Sequence, residues 1–546
     1  MICLAGVLVA TGIALLAGRH TPTVAASDGQ GAGDSGSPDS SGPLGLTQEG
    51  DAGTTAYWVA TENALPGTTK WRITGAPASG FIEGFTDTTY ANAGQAVALY
   101  VSTSAANFHV EAYRIGYYQG AGARLVWASP DYVGQQQPAC PLSTDVNMVA
   151  CDNWSQSLSI QVTQAFPQGD YLLKLIGSGN EQSYVPLTVW DPASKATYVV
   201  KNDVFTWQSW NPYGGYDFYA GTGNGVGGGS IGHCPANIYP PCARSRVVSY
   251  DRPYGYGNGA ADFLTYEAPL VRFAEQHNLD VTYVNDLTVQ QNPTLLAQHH
   301  ALLSLGHDES WSYGERTAVT TAMGAGLNVA FFGAAAILGH VRTQASPLGA
   351  DRELVDYRDA NADPLRGNGN PGDVTGNTWS STGMPGAAVI GEAYNGTLNQ
   401  GVRAPLAVAD PNAWIFAGTG LSGGSVVPGV IVSDVDSLEP APAVSETVQV
   451  LAHSALVAGQ AQPMTHNGAV FYSDMTYYSD PTSKAGAWDS GTSGWIPSLA
   501  DCGGSPQCPS GPVGSMTGNL LKLFGSGPAG RTQPSQPNWR NFYPAG

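Results

Sequence analysis

Basic side chains are scarce. Only 22 Lys and Arg stand against 42 Asp and Glu in 546 residues, leaving a formal net charge of −20. Such a surface repels phosphate backbones and anionic headgroups, so no nucleic-acid partner is expected. Charge of either sign is thin, at 12% of residues, while aromatics reach 10% and glycines number 70. A disordered acidic chain is poor in aromatics, so the mix reads instead as a loop-rich, exported protein. Cysteine is limited to seven residues, and no two are spaced C-x-x-C, which removes the zinc-knuckle reading. Long apolar runs are missing as well. The exception, residues 2–17, is too short for a comfortable membrane span.

What is present begins with that run. "TVAAS" at 23–27 follows it and places Val24 and Ala26 where a cleavage site needs small residues. The expectation is a signal peptide over 1–26, a secreted protein and no stable membrane insertion after cleavage. Residues 27–53 are Gly, Ser, Asp and Pro with little to bury, the composition of a disordered linker. Six cysteines fall into close pairs, Cys140/Cys151, Cys234/Cys242 and Cys502/Cys508, which in an exported chain predicts local disulfides.

Two grammars follow. Over 54–191, short alternating segments such as "AVALYVST" (96–103) and "FHVEAYRIG" (108–116) are separated by turn residues. Period-2 alternation of this kind predicts an immunoglobulin-like β-sandwich. Over 196–546 the pattern becomes strand–helix–strand. "TYVV" (197–200), "DVTYV" (280–284), "ALLSL" (301–305) and "LNVAFFG" (327–333) alternate with amphipathic stretches. Ser312 and Glu315 form an expected capping box for one of those helices. The fold class is therefore α/β plus all-β: a sandwich followed by a doubly wound, three-layer α/β domain of the amidotransferase or flavodoxin type. The weaker signal over 345–520 reads as insertions and an extension of that domain.

Chemistry concentrates at "LLSLGHDES" (302–310). An apolar strand stops at a glycine, and His307, Asp308 and Glu309 follow at its carboxyl end, where open α/β sheets bind ligands. A second concentration is the loop "VFTWQSWNPYGGYDFYAGTGNGVGGGS" (204–230), with Trp207, Trp210, Tyr213, Tyr216, Phe218 and Tyr219. It reads equally as a pocket lining and as an aromatic core. The neighbouring Asp251 and Arg252 read as a structural ion pair.

Together, "YRIGYYQGAGARLV" (113–126), "TWQSWNPYGG" (206–215), "VVSYDRPY" (247–254), "LLSLGHDESWS" (302–312) and "LNVAFFGAAA" (327–336) resemble the large (β) subunit of N,N-dimethylformamidase and its secreted relatives. The resemblance spans about 55–480. It implies an amide hydrolase using a mononuclear ferric ion held by two tyrosines and a glutamate. Carried over, the glutamate ligand falls on Glu309, one tyrosine ligand on Tyr219 and the catalytic histidine on His307. Three departures stand out. Trp210 occupies the place of the other tyrosine, and Ala334, Ala335 and Ala336 replace a family asparagine. Where relatives carry a glutamate near 428–437, the nearest acid is Asp434, which is taken here as a third catalytic candidate. The implied function is a secreted amidohydrolase acting on small amides, with a homo-oligomer compatible with the sequence. The alternative is a non-catalytic secreted binding protein that keeps the fold.

Overall fold

Alternating side chains build the first layer pair. Ala96–Thr103 pairs antiparallel with Ile82–Thr86 on one side and Leu158–Gln161 on the other. A second antiparallel sheet joins Ala123–Ala128, Asn107–Ile115, Gly169–Gly177 and Gln182–Val189 in that spatial order. Val97, Leu99 and Val101 from the first sheet share one core with Val110, Leu173 and Leu175 from the second. Every second residue faces inward, so the two sheets close on each other.

These features come from a computed structural model, which describes residues 47–74, 82–221, 244–376, 378–438, 446–457, 459–463, 470–500 and 510–543. The expected signal segment, most of the linker, and Cys234, Cys242, Cys502 and Cys508 lie outside the described residues. Of the predicted disulfides, Cys140–Cys151 is formed. Order begins earlier than the expected linker end at residue 53. Thr47–Gly50 and Gly53–Ala56 form an antiparallel hairpin. Its short polar strands carry little apolar signal and are held by tertiary bonds, such as Thr54 N–H to the Tyr198 hydroxyl at 3.0 Å.

A further, mostly parallel sheet has seven strands. They are β1 (Tyr198–Asn202), β2 (Val281–Asn285), β3 (Ala301–Ser304), β4 (Asn328–Phe331), β5 (Gln449–Val457), β6 (Val470–Ser479) and β7 (Gly486–Asp489). Their order is β2-β1-β3-β4-β7-β6-β5. The first five run parallel, and β6 and β5 add an antiparallel edge. Five helices matter to the site: α1 (Val204–Ser209), α2 (Ala268–Gln276), α3 (Asp286–Gln291), α4 (Tyr313–Gly324) and α5 (Ser510–Gly525). Tyr198 and Val200 of β1 pack with Leu270 and Val271 of α2 and Met516 and Leu520 of α5. Val199 faces the other way, towards Ala318 and Val319 of α4. Helices thus cover both faces, which is why the parallel strands read as apolar runs.

Arg114, on the sandwich, reaches Glu275 of α2 with both terminal nitrogens, at 2.5 and 3.0 Å, and neither side chain is exposed. That bidentate pair ties the first layer pair to the helical layer.

The chain leaves β1 towards β2 on one side and returns across to β3 on the other. Connections therefore diverge above the carboxyl ends of β1 and β3, the place where open α/β sheets form a ligand crevice. Among the described residues, no helix is long and apolar enough to cross a membrane.

Candidate active site

The loop after β3 turns at Gly306, whose φ of +60° is left-handed. A Cβ on the neighbouring Gly333 would lie 1.5 Å from the Gly306 carbonyl oxygen. Glycine is needed at both points because the loops after β3 and β4 touch backbone to backbone. This sharp turn sends Asp308 inwards and leaves His307 and Glu309 at the crevice.

Asp308 is structural. Lys201, near the end of β1, places its ammonium 2.8 Å from Asp308, 2.9 Å from Glu315 and in hydrogen-bond contact with Asp286. Carboxylate oxygens of Asp286, Asp308 and Glu315 lie within 4.8 Å of one another, a spacing a metal ion accepts. The Lys201 ammonium sits among them. Burial lowers the lysine pKa, yet the three carboxylates outweigh it and hold the amine charged. Burial raises Glu315 strongly and pushes Asp286 up to about 6. Glu315 spends its carboxylate on this cluster. Only half of the expected capping box forms as a result, with Ser312 Oγ accepting from Glu315 N–H at 3.1 Å.

His307 stands between two acids. Its Nε2 is 3.1 Å from Asp434 Oδ2 and 3.6 Å from Glu309 Oε2. Asp434 opens the strand Asp434–Ser437 and accepts a hydrogen bond from Thr397 Oγ1. Burial would lower the histidine pKa, but Asp434, Glu309, Asp262 and Asp436 outweigh it and raise it. Burial also raises Asp434, against the pull of His307. The His307 side chain retains 14% exposure, so the dyad is within reach of solvent.

The aromatic loop supplies the other wall. Trp210 Nε1–H donates to Glu309 Oε2 at 2.9 Å, and the Tyr219 hydroxyl donates to Oε1. The Trp210 and Tyr219 rings stack 3.6 Å apart and 10° from parallel. Arg358 Cζ lies 3.8 Å from the Tyr219 ring centroid, so the phenol is held between indole and guanidinium. Arg252 braces the loop by donating to the carbonyls of Tyr213 at 3.0 Å, Tyr216 at 3.1 Å and Asn211 at 3.1 Å. Asp251 pairs instead with Arg352 at 2.8 Å, so the expected Asp251–Arg252 ion pair is replaced by two separate contacts. The Tyr213 hydroxyl is engaged by Glu83 of the sandwich at 2.8 Å, and Tyr254 packs edge-on against Trp207.

The structure therefore brings together His307, Glu309, Asp434 and Tyr219, residues distant in sequence. Sequence reasoning missed Arg358 and Lys201. Arg358 sits in a stretch with no periodicity, and Lys201 is the next-to-last residue of β1, where a lysine usually reads as solvent-facing.

Residues 109–509 match the family model described as N,N-dimethylformamidase beta subunit-like, C-terminal. No curated protein matches the chain. The ferric ion implied by the resemblance does not fit these donors. Tyr219 and Glu309 meet, but the third place is held by an indole N–H, which has no lone pair to give. Both Glu309 oxygens already accept hydrogen bonds from the two rings.

Proposed function

Because this chain belongs to the N,N-dimethylformamidase beta subunit-like family, we propose that it is an amidohydrolase cleaving the C–N bond of small amides. The reacting centre is His307, Asp434 and Glu309. The observation carrying this reading is the His307–Asp434 contact of 3.1 Å, placed beside Glu309 at the sheet's switch point. Nε2 of neutral His307 is held by Asp434, so Nδ1 is the nitrogen whose lone pair takes a proton from an attacking water and returns it to the leaving nitrogen. Asp434 orients the ring and stabilises the imidazolium. Glu309 Oε2 lies 3.6 Å from Nε2, beyond hydrogen-bond distance, so its charge acts on the ring through space. Trp210 and Tyr219 fix Glu309, so its charge does not have to reorganise during the reaction.

We read the sandwich as immunoglobulin-like, covering 54–191, and the remainder, 196–546, as the catalytic part. Export to an oxidising compartment is supported by the Cys140–Cys151 bond. A panel of small aliphatic amides incubated with the full chain and followed by proton NMR tests the function. Equal amounts of carboxylic acid and amine are expected. A second reading, a non-catalytic binding protein, is favoured by Trp210 standing where the family has a ligand. If no amide is consumed while one shifts the protein's melting temperature, that second reading holds.

A further inference from the structure

We propose that Arg358 is the fixed cation of this site, taking the place of a metal ion, and that it holds the carbonyl oxygen of the amide and the carboxylate that hydrolysis leaves. This rests on the hydrolase reading and says how the reaction's negative charge is met.

Three observations converge. Glu309, the acid that would ligate a metal, is engaged by N–H and O–H donors on both oxygens, and one of them, Trp210, has no ligating atom. Arg358 caps the Tyr219 ring at 3.8 Å, on the face away from the stacked Trp210, so a permanent positive charge lies one ring from Glu309. The side chain retains 20% exposure. Other nearby cations are sealed. Lys201 is fully buried among three acids, and buried Arg252 is spent on loop carbonyls. Arg358 is also held by design of the backbone. Its φ of +52° is left-handed, and Asp356 fixes it through the backbone N–H at 2.8 Å and Nε at 3.1 Å. A non-glycine residue kept in that region is characteristic of positions where geometry serves a site. Nε is committed to Asp356 and the guanidinium also hydrogen-bonds Tyr219; the remaining N–H groups of the planar fork suit a carboxylate.

The step balances without a metal. The water oxygen bonds to the carbonyl carbon while its proton passes to His307, and the C=O electron pair moves onto the oxygen facing Arg358. Collapse restores that pair and breaks the C–N bond. The leaving nitrogen carries away the bonding pair and takes the proton from His307. The acid then ionises and stays paired with Arg358 until released.

Two measurements on the purified full chain test this, and neither needs turnover. In the first, ferric ion is added, the excess is removed, and iron content and visible absorption are read. The expected result is well under one ion per chain and no tyrosinate-to-iron band. One ion per chain, with a band that Tyr219→Phe abolishes, would overturn the proposal. In the second, acetate is titrated by calorimetry into wild type, Arg358→Gln and Arg358→Lys. Wild type should bind, Arg358→Gln should bind at least about tenfold more weakly, the loss of a charged hydrogen bond, and Arg358→Lys should fall between them. No acetate binding by wild type, or equal binding by wild type and Arg358→Gln, also overturns it. Failure of the amide assay, with both results as expected, would count against the hydrolase reading and leave the assignment of Arg358 standing.

Discussion

At His307, two opposing influences meet. Burial favours the neutral ring, and the facing carboxylates of Asp434, Glu309, Asp262 and Asp436 favour the imidazolium, which wins. A base must be neutral to accept a proton, so the rate should rise with pH, its half-maximal point lying above the ordinary histidine value of 6.5. Removing one facing charge lowers the histidine pKa. In a pH–rate profile, Asp434→Asn should therefore move that point to lower pH, and an unmoved profile would remove Asp434 from this role. Lys201 makes a second residue-scale prediction. Lys201→Met leaves Asp286, Asp308 and Glu315 buried without their cation. Breaking a buried pair this way costs about 3–5 kcal/mol, read as a fall in stability by denaturant titration. His307 and Glu309 were legible in the sequence because ionisable residues at a strand's carboxyl end are conspicuous. Lys201 and Arg358 were not, because their partners come from separate elements that only the fold assembles.

The elements that hold these residues are fixed by contacts of different kinds. Gly333→Ala would drive a methyl into the Gly306 carbonyl, so the two crossing loops must part. A loss of roughly 3 kcal/mol is expected, with amide cleavage falling because His307 and Glu309 ride on one of those loops. The aromatic loop depends on the sandwich. Tyr213 bonds Glu83, and the Cys140–Cys151 bridge lies beneath it, with Cys140 Sγ 3.9 Å from the Tyr213 hydroxyl. Replacing both cysteines by serine should cost about 2–3 kcal/mol for so short a loop, measured by thermal unfolding with and without reductant. Reductant should shift the wild type by more than it shifts the double variant. The apolar parallel strands and the alternating sandwich strands announced themselves by period. β5 and β6 did not, because buried polar residues such as Ser454, Ser473 and Asp474 interrupt their pattern.

Across the whole molecule, the described residues from 47 to 543 form one compact unit, and many acids lie in its interior. Asp203 faces Glu267, and Asp436 faces Asp489. Burial pushes Glu267 up to about 7 from 4.5, and Asp436 up to about 7 from 3.8. Each pair keeps a proton in the folded state that the unfolded chain releases at lower pH. A raised carboxyl stabilises the fold fully below its unfolded value and loses that contribution as pH rises through the folded one. Stability should therefore fall between about pH 4 and 7, at about 1.4 kcal/mol per pH unit for each retained proton, and melting temperature should fall with it. Asp436→Asn should flatten the slope, and a melting temperature that climbs across this range would refute the assignment. Composition hinted at none of this, since a count of acids does not say which are buried together.

Every step proposed for this protein depends on amide cleavage running through His307. The measurement that meets it most directly is the initial rate of amine release from a small amide, compared between wild type and His307→Gln at equal folded concentration. Release by the wild type and a rate lower by about a hundredfold or more in the variant is the predicted result. Release at the same rate by both proteins, or by neither, would contradict it.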